Sequence, residues 1–232
     1  MGAGERKNRN GSGRAAAIIA DHLNELSASR PSVAMTNGLS PKGARTLRSI
    51  LAAAHRVFIR DGHAGLSMRK VADEAGVALG NVNYYFQSKG VLLEATLREA
   101  LADYVEAHLD HLGSDGDPPL KVLLDVVTFY VANGRQSHPL FFQIWGYAAS
   151  DNDAKILVRE LYRPIGRFIY YLVREARPDA SDEKVREIVL QLFSLEEGMK
   201  LFLGIGPDDD RALLSAEIHA RRLAERIILS DF

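Results

Sequence analysis

Asn81 and Asn83 carry the most specific chemistry in this chain. They sit in Leu79-Gly80-Asn81-Val82-Asn83-Tyr84-Tyr85, a short polar, Tyr-rich stretch between Val77 and Phe86. Read as a helix, it puts Val82 and Phe86 on one face and leaves Leu79, Gly80, Asn81, Asn83 and Tyr84 outward. An asparagine amide presents a donor and an acceptor together, and in a major groove it can pair bidentately with adenine. Which of these Asn and Tyr residues reads bases stays open.

A helix this short needs neighbours to hold it. Leu47, Ile50, Leu51, Ala54, Val57 and Phe58 follow a helical period and lead to Gly62, a candidate C-cap. Ser67 is an N-cap candidate for Met68–Ala75, and its helix opening can offer backbone N–H groups to a phosphate. Gly76 permits the turn into a third helix, Ala78–Tyr85. Ala72 and Ala75 are small where two helices must cross closely. This is the layout of a helix-turn-helix unit.

Charge supports a nucleic-acid partner. Residues 42–90 carry eight basic groups against three acids, a net +5, whereas residues 91–232 carry a net −8 within a chain of overall charge −1. Lys42, Arg45 and Arg48 lie at or before the first helix and could enter a minor groove or meet phosphates. Arg6, Lys7, Arg9 and Arg14 could extend that arm, but a solvated tail is the favoured reading of these four. With no Cys, the chain has no disulfide, thiolate-zinc or thiol nucleophile chemistry, which fits a cytoplasmic setting. No apolar run approaches the roughly 18 residues of a membrane span, so no membrane partner is expected.

These residues together resemble the TetR family of transcriptional regulators. The resemblance covers Thr46–Leu93 and rests on Phe58…Gly62, Ser67-Met68-Arg69-Lys70-Val71-Ala72, Ala75-Gly76-Val77 and Tyr85-Phe86…Ser88-Lys89. It implies an all-α fold of about nine helices: an N-terminal three-helix helix-turn-helix DNA-binding domain and a C-terminal helical regulatory and dimerisation domain. It also implies phosphate contacts from Tyr85 and Lys89, and it adds Arg69 to the DNA-binding set. The family often has Thr where this chain has Asn81 and Tyr where it has Asn83. The expected division is a disordered basic extension and linker over 1–41, within which Ala15–Leu26 could form a short helix, the DNA-binding domain over 42–90, and a ligand-binding and dimerisation domain over 91–232.

Downstream, helices are expected from Ser88 to about Leu112, over Leu120–Arg135, from His138 to near Ser150, over Asn152–Ala176 with Pro164 inside, over Asp182–Leu203 and over Asp208–Leu229. Aromatic residues with polar tips suggest an effector pocket drawn from Tyr104, His108, Phe129, Asn133, Phe142, Trp145 and Tyr162. The last two helices are broadly apolar and suggest a homodimer through Ile188, Leu192, Met199, Leu223 and Ile227. His108 and His111 have a metal-compatible spacing but no further ligand cluster, and Glu196-Glu197 read as a solvated or interface pair. Neither a metal nor a cofactor is expected. No catalytic constellation stands out, so an enzyme is not expected. The expected function is a dimeric repressor that leaves a near-palindromic operator when a small molecule binds. The alternative is an architectural or division-control DNA binder of the same fold without an effector.

Overall fold

The computed structural model describes residues 4–35, 38–109, 117–150, 152–207 and 209–230, with backbone only over 4–13 and 107–109. The side chains of Arg6, Lys7, Arg9 and His108, and the whole of His111, therefore lie outside the described residues. Among those described there are eleven helices and no strand, in keeping with the all-α expectation.

The N-terminal helix is longer than the short one expected over Ala15–Leu26, and takes in residues expected to be disordered. Helix α1 spans Gly4–Ser29 and α2 spans Pro31–Ala34. Ala15, Ile19, His22 and Leu26 are buried at helical spacing, and His22 stacks flat on Phe168 with ring centroids 4.4 Å apart. Anchoring of this stripe supplies the tertiary contacts that a Gly- and Asn-rich sequence lacks by itself, and a helix once nucleated propagates outward. Arg14, read from the sequence as part of a solvated tail rather than of the DNA-binding arm, lies 3.6 Å from Glu175. Between α1 and α2, Arg30 pairs with Glu99, Asp103 and Glu106 at 2.9, 2.6 and 2.6 Å.

Helix α3 (Pro41–Gly65) starts with Pro41 at its first turn and a Ser40 hydroxyl that accepts from the Gly43 N–H. All six residues of its expected apolar stripe are buried. Gly62 is not its C-cap: the helix is kinked there, at φ 66° and ψ −176°, a region open essentially to glycine alone. Helices α4 (Met68–Ala75) and α5 (Leu79–Tyr85) follow, then α6 (Lys89–Leu109).

Two helices expected around residue 138 form one, α7 (Pro119–Ala148), with Pro139 inside. Proline removes the hydrogen bond to the carbonyl four residues earlier. His138 Nδ1 lies 3.1 Å from that Arg135 carbonyl oxygen, so the orphaned acceptor has a substitute donor in the tautomer protonated there. Helix α8 (Asn152–Ala176) contains Pro164 as expected, and α9 (Asp182–Ile205) is capped by Ser181. The final expected helix is broken at Ser215 into α10 (Arg211–Leu214) and α11 (Ala216–Leu229).

The chain falls into two compact units that do not follow the boundaries at 41 and 90. One comprises residues 1–22, 108–139 and 163–232; the other comprises 23–107 and 140–162. In the first unit, Val131, Ala216 and Ala220 form a buried cluster covered by Leu195, Met199 and Leu203. There Arg177 donates to the Ile228 carbonyl at 2.6 Å, closing the end of α11. The second unit contains the whole helix-turn-helix segment.

Candidate nucleic-acid interface

The recognition unit is built by local rules. The Ser67 hydroxyl accepts from the Lys70 N–H at 3.2 Å and starts α4. Gly76 ends it in the left-handed region, φ 67° and ψ 34°, where a side chain would be strained. Val71, Ala72, Val82 and Phe86 are buried, with Val82 and Phe86 fully so. Ala75 and Val77 are half-buried.

This anchoring fixes what α5 shows to solvent. Gly80, Asn81, Asn83 and Tyr84 are exposed, Tyr84 by 74%, and Leu79 is half-buried. A large aromatic ring left this open on a well-anchored helix is an informative exception to burial. Tyr85 meets Tyr84 edge to face at 5.0 Å. Its hydroxyl donates to the Gly43 carbonyl at 3.0 Å, which ties the start of α3, and with it Lys42, to α5. Lys89 Nζ donates to the His63 carbonyl at 2.6 Å. Both residues expected at phosphates thus also join helices within the unit. Tyr85→Phe should lower stability by about 0.5–1.5 kcal/mol, the net worth of one such hydrogen bond. Chemical denaturation checks this, and an unchanged midpoint would show that the bond contributes nothing.

Ion pairs sort the basic residues into two sets. Glu74 takes Arg56 at 2.8 Å and Arg60 at 3.0 Å, and Asp61 takes Arg60 and Lys70, each at 2.9 Å. Hydrogen bonds from Arg60 and Lys70 hold the Asp61 carboxyl below its ordinary range, and those from Arg56 and Arg60 do the same for Glu74. Lys42, Arg45, Arg48 and Arg69 are exposed, and none of them forms an ion pair among the described residues. Composition could not separate these sets, because the partners of Arg56 and Arg60 lie up to 18 positions away.

A contact that sequence reading missed lies at the α3 kink. Gln143 donates to the Ile59 carbonyl at 3.3 Å, and a Cβ on Gly62 would come within 2.7 Å of its Oε1. His63 packs on Tyr147 at 4.4 Å. The carbonyl that Gln143 reaches is near the one that holds Lys89, so α7 touches the recognition unit where α3 ends.

The residues expected at an effector are partly brought together. Phe142 and Trp145 are neighbours at 5.7 Å, the Trp145 indole N–H donates to the Tyr162 hydroxyl at 3.1 Å, and Tyr104 meets Phe141 edge to face. Trp145 also lines an open groove with Ala148, Ala149, Asn152 and Lys155. Phe129 and Asn133 belong to the other unit. Glu196 is not solvated: it is 6% exposed, its Oε1 finds no hydrogen-bond partner among the described residues, and burial pushes its carboxyl up to about 8.

The expected dimer residues also need correction. Ile188 and Leu192 are buried inside their own unit, and Met199 packs on its Val131–Ala216–Ala220 cluster. Leu223 is exposed and Ile227 is half-buried. The open apolar side chains of α9 and α11 are Leu190, Leu201, Phe202, Ile205, Ile218, Leu223 and Leu229. Helix α9 is apolar on both sides, so its sequence alone does not say which face the monomer covers. Among the described residues no cluster of His, Cys, Asp and Glu could hold a metal, and no helix is long and apolar enough to cross a membrane.

The model for bacterial regulatory proteins of the tetR family matches residues 50–96. The HTH-type transcriptional regulator BetI of Burkholderia thailandensis is 29% identical over 177 residues, covering 74% of this chain and 90% of the relative. The transcriptional regulator FadR from Bacillus subtilis, solved in complex with stearoyl-CoA, superposes with a TM-score of 0.64 at 16% identity, covering 79% of this chain and 98% of that one. A transcriptional regulator from Saccharomonospora viridis in complex with choline gives a TM-score of 0.60 at 20% identity, over 79% and 95% of the two chains. At these identities the two structures speak to the fold alone.

Proposed function

We propose that this chain, which belongs to the TetR family of bacterial transcriptional regulators, is a cytoplasmic, dimeric repressor released from its operator by a small-molecule effector. The observation that carries the reading is α5. It is locked by Val82 and Phe86 and exposes Asn81, Asn83 and Tyr84, while Lys42, Arg45 and Arg69 remain exposed and unpaired in the same unit. In this reading the amides address base edges in a major groove. The cations, with Tyr85 and Lys89, address phosphates and fix register.

A second copy is needed for two recognition helices to meet half-sites about one helical turn apart. The exposed apolar residues of α9 and α11 supply a surface for two-fold packing. Phe202→Glu combined with Leu223→Glu should give soluble, folded monomer by light scattering. Ile188→Glu should instead unfold the protein, because it places a charge in a fully buried position. A double variant that remains dimeric would move the interface elsewhere.

The effector reading draws on the cluster of Phe142, Trp145 and Tyr162, and on solved neighbours of the same fold that hold stearoyl-CoA and choline. The ligand class proposed is mainly apolar and neutral or cationic. DNA and effector then favour different spacings of the two recognition helices, and each shifts the population away from the other. Trp145 is the only Trp of the chain, so its emission reports on this region. An effector should change that emission, raise the melting temperature and release DNA over one concentration range. Saturating operator should weaken effector binding by the factor through which the effector weakens operator binding. If a broad screen finds only ligands that stabilise the protein and leave operator affinity unchanged, the protein is a DNA binder without an effector.

A further inference from the structure

Within the second unit, a cavity of about 420 Å³ lies between α3 and α6 and under the α1–α2 connection. No role assigned above uses it, and its volume falls in the range of small-molecule sites. The state of its polar groups indicates which ligand it suits. Its two acids are already engaged. Arg30 holds Glu99 and Asp103, and the Ser32 N–H and hydroxyl donate to Glu99 at 2.9 and 2.6 Å. A cationic ligand would therefore compete with an internal guanidinium that is only 11% exposed.

On the basic side of the lining, Arg30 and Arg56 are held by ion pairs, Arg56 by Glu74, whereas Arg48 and His55 are not. Arg48 forms no ion pair among the described residues. His55 Nε2 is buried and has no hydrogen-bond partner there. Burial pushes His55 below the ordinary imidazole range, so near neutral pH its ring is uncharged and can donate or accept one hydrogen bond according to tautomer. A buried polar atom left unmatched is costly, and a ligand that matches it recovers that cost. Leu51 and Ala100, both nearly fully buried, complete the lining with apolar surface.

We propose that this cavity is a second ligand site, separate from the aromatic cluster, and that it takes a small organic carboxylate. The carboxylate is held by Arg48, one further polar atom by His55 Nε2, and the apolar body by Leu51 and Ala100. Its occupant touches α3 and α6 together, the helices that precede and follow α4 and α5.

The test is calorimetric titration of the intact protein, without DNA, with butyrate, hexanoate and benzoate, using their uncharged amides as controls. At least one carboxylate should bind saturably at millimolar concentration or below while its amide does not. Arg48→Gln should weaken that binding by about tenfold, the scale of one charge-assisted hydrogen bond. Ala52→Phe should abolish it by filling the cavity from an exposed position of its lining. Trp145→Leu, which alters the aromatic cluster, should leave it unchanged. No saturable binding by any of the three acids would overturn the proposal. So would binding indifferent to Arg48→Gln and Ala52→Phe, or binding lost in Trp145→Leu.

Discussion

Phe86→Ala should abolish operator binding and lower the stability of the protein by about 3–5 kcal/mol, the usual cost of truncating a fully buried Phe. Phe86 is among the largest fully buried side chains and stands at the C-cap of α5, where its backbone N–H donates to the Val82 carbonyl at 2.9 Å. Its loss leaves a cavity under the end of the recognition helix, so α5 loses its fixed orientation as well as its anchor. Proteins of this kind hold only about 5–15 kcal/mol in total, so the variant should show a much lower denaturation midpoint. Tyr84→Ala is the matching control. Tyr84 is 74% exposed, and an exposed truncation should stay within about 0.5 kcal/mol of the parent. Chemical denaturation separates the two, and fluorescence anisotropy checks the loss of operator binding by Phe86→Ala. A Phe86→Ala protein with parental stability would mean that α5 is not held as described.

The amides of α5 carry the second large effect. Asn81→Ala or Asn83→Ala should leave stability unchanged, because both side chains are exposed. At least one of the two should relax preference at particular base pairs by about 1–3 kcal/mol. That corresponds to roughly fivefold to 150-fold in relative affinity. Exposed cations such as Lys42 and Arg69 should behave differently. Their removal should weaken binding to all sequences alike and flatten the dependence on salt, since each phosphate contact releases a counterion. If both Asn variants keep the parental base preference, base reading lies with other residues of α5.

The helix-turn-helix segment was legible because its signals are local. A buried stripe from Leu47 to Phe58, a Ser67 cap, a left-handed Gly76 and a Val82–Phe86 pair each act within a few residues, and each is present in the fold. What the sequence hid depends on distant partners. Pro139 reads as a helix start, but with His138 beside the Arg135 carbonyl the helix continues through it. Ala15–Leu26 was legible as a short helix, but its extension to Gly4–Ser29 has weak local signals and follows from the packing of Ile19 and His22. Arg30 is one cation among many in the sequence, yet it gathers three carboxylates spaced along α6. The covered face of α9 is set by packing in its own unit, so Ile188 and Leu192 face inward while Leu190 and Phe202 are open. Nothing in periodicity alone ranks those two faces.

On the proposed function, α5 is presented twice by a two-fold dimer and reads a defined DNA sequence. Selection of bound duplexes from a random pool tests it most directly. The expected result is enrichment of a near-palindromic motif with half-sites about one helical turn apart, at base positions whose preference changes in the Asn81→Ala or Asn83→Ala protein. Enrichment of no motif, or of a single unsymmetrical site unaffected by either substitution, would contradict it.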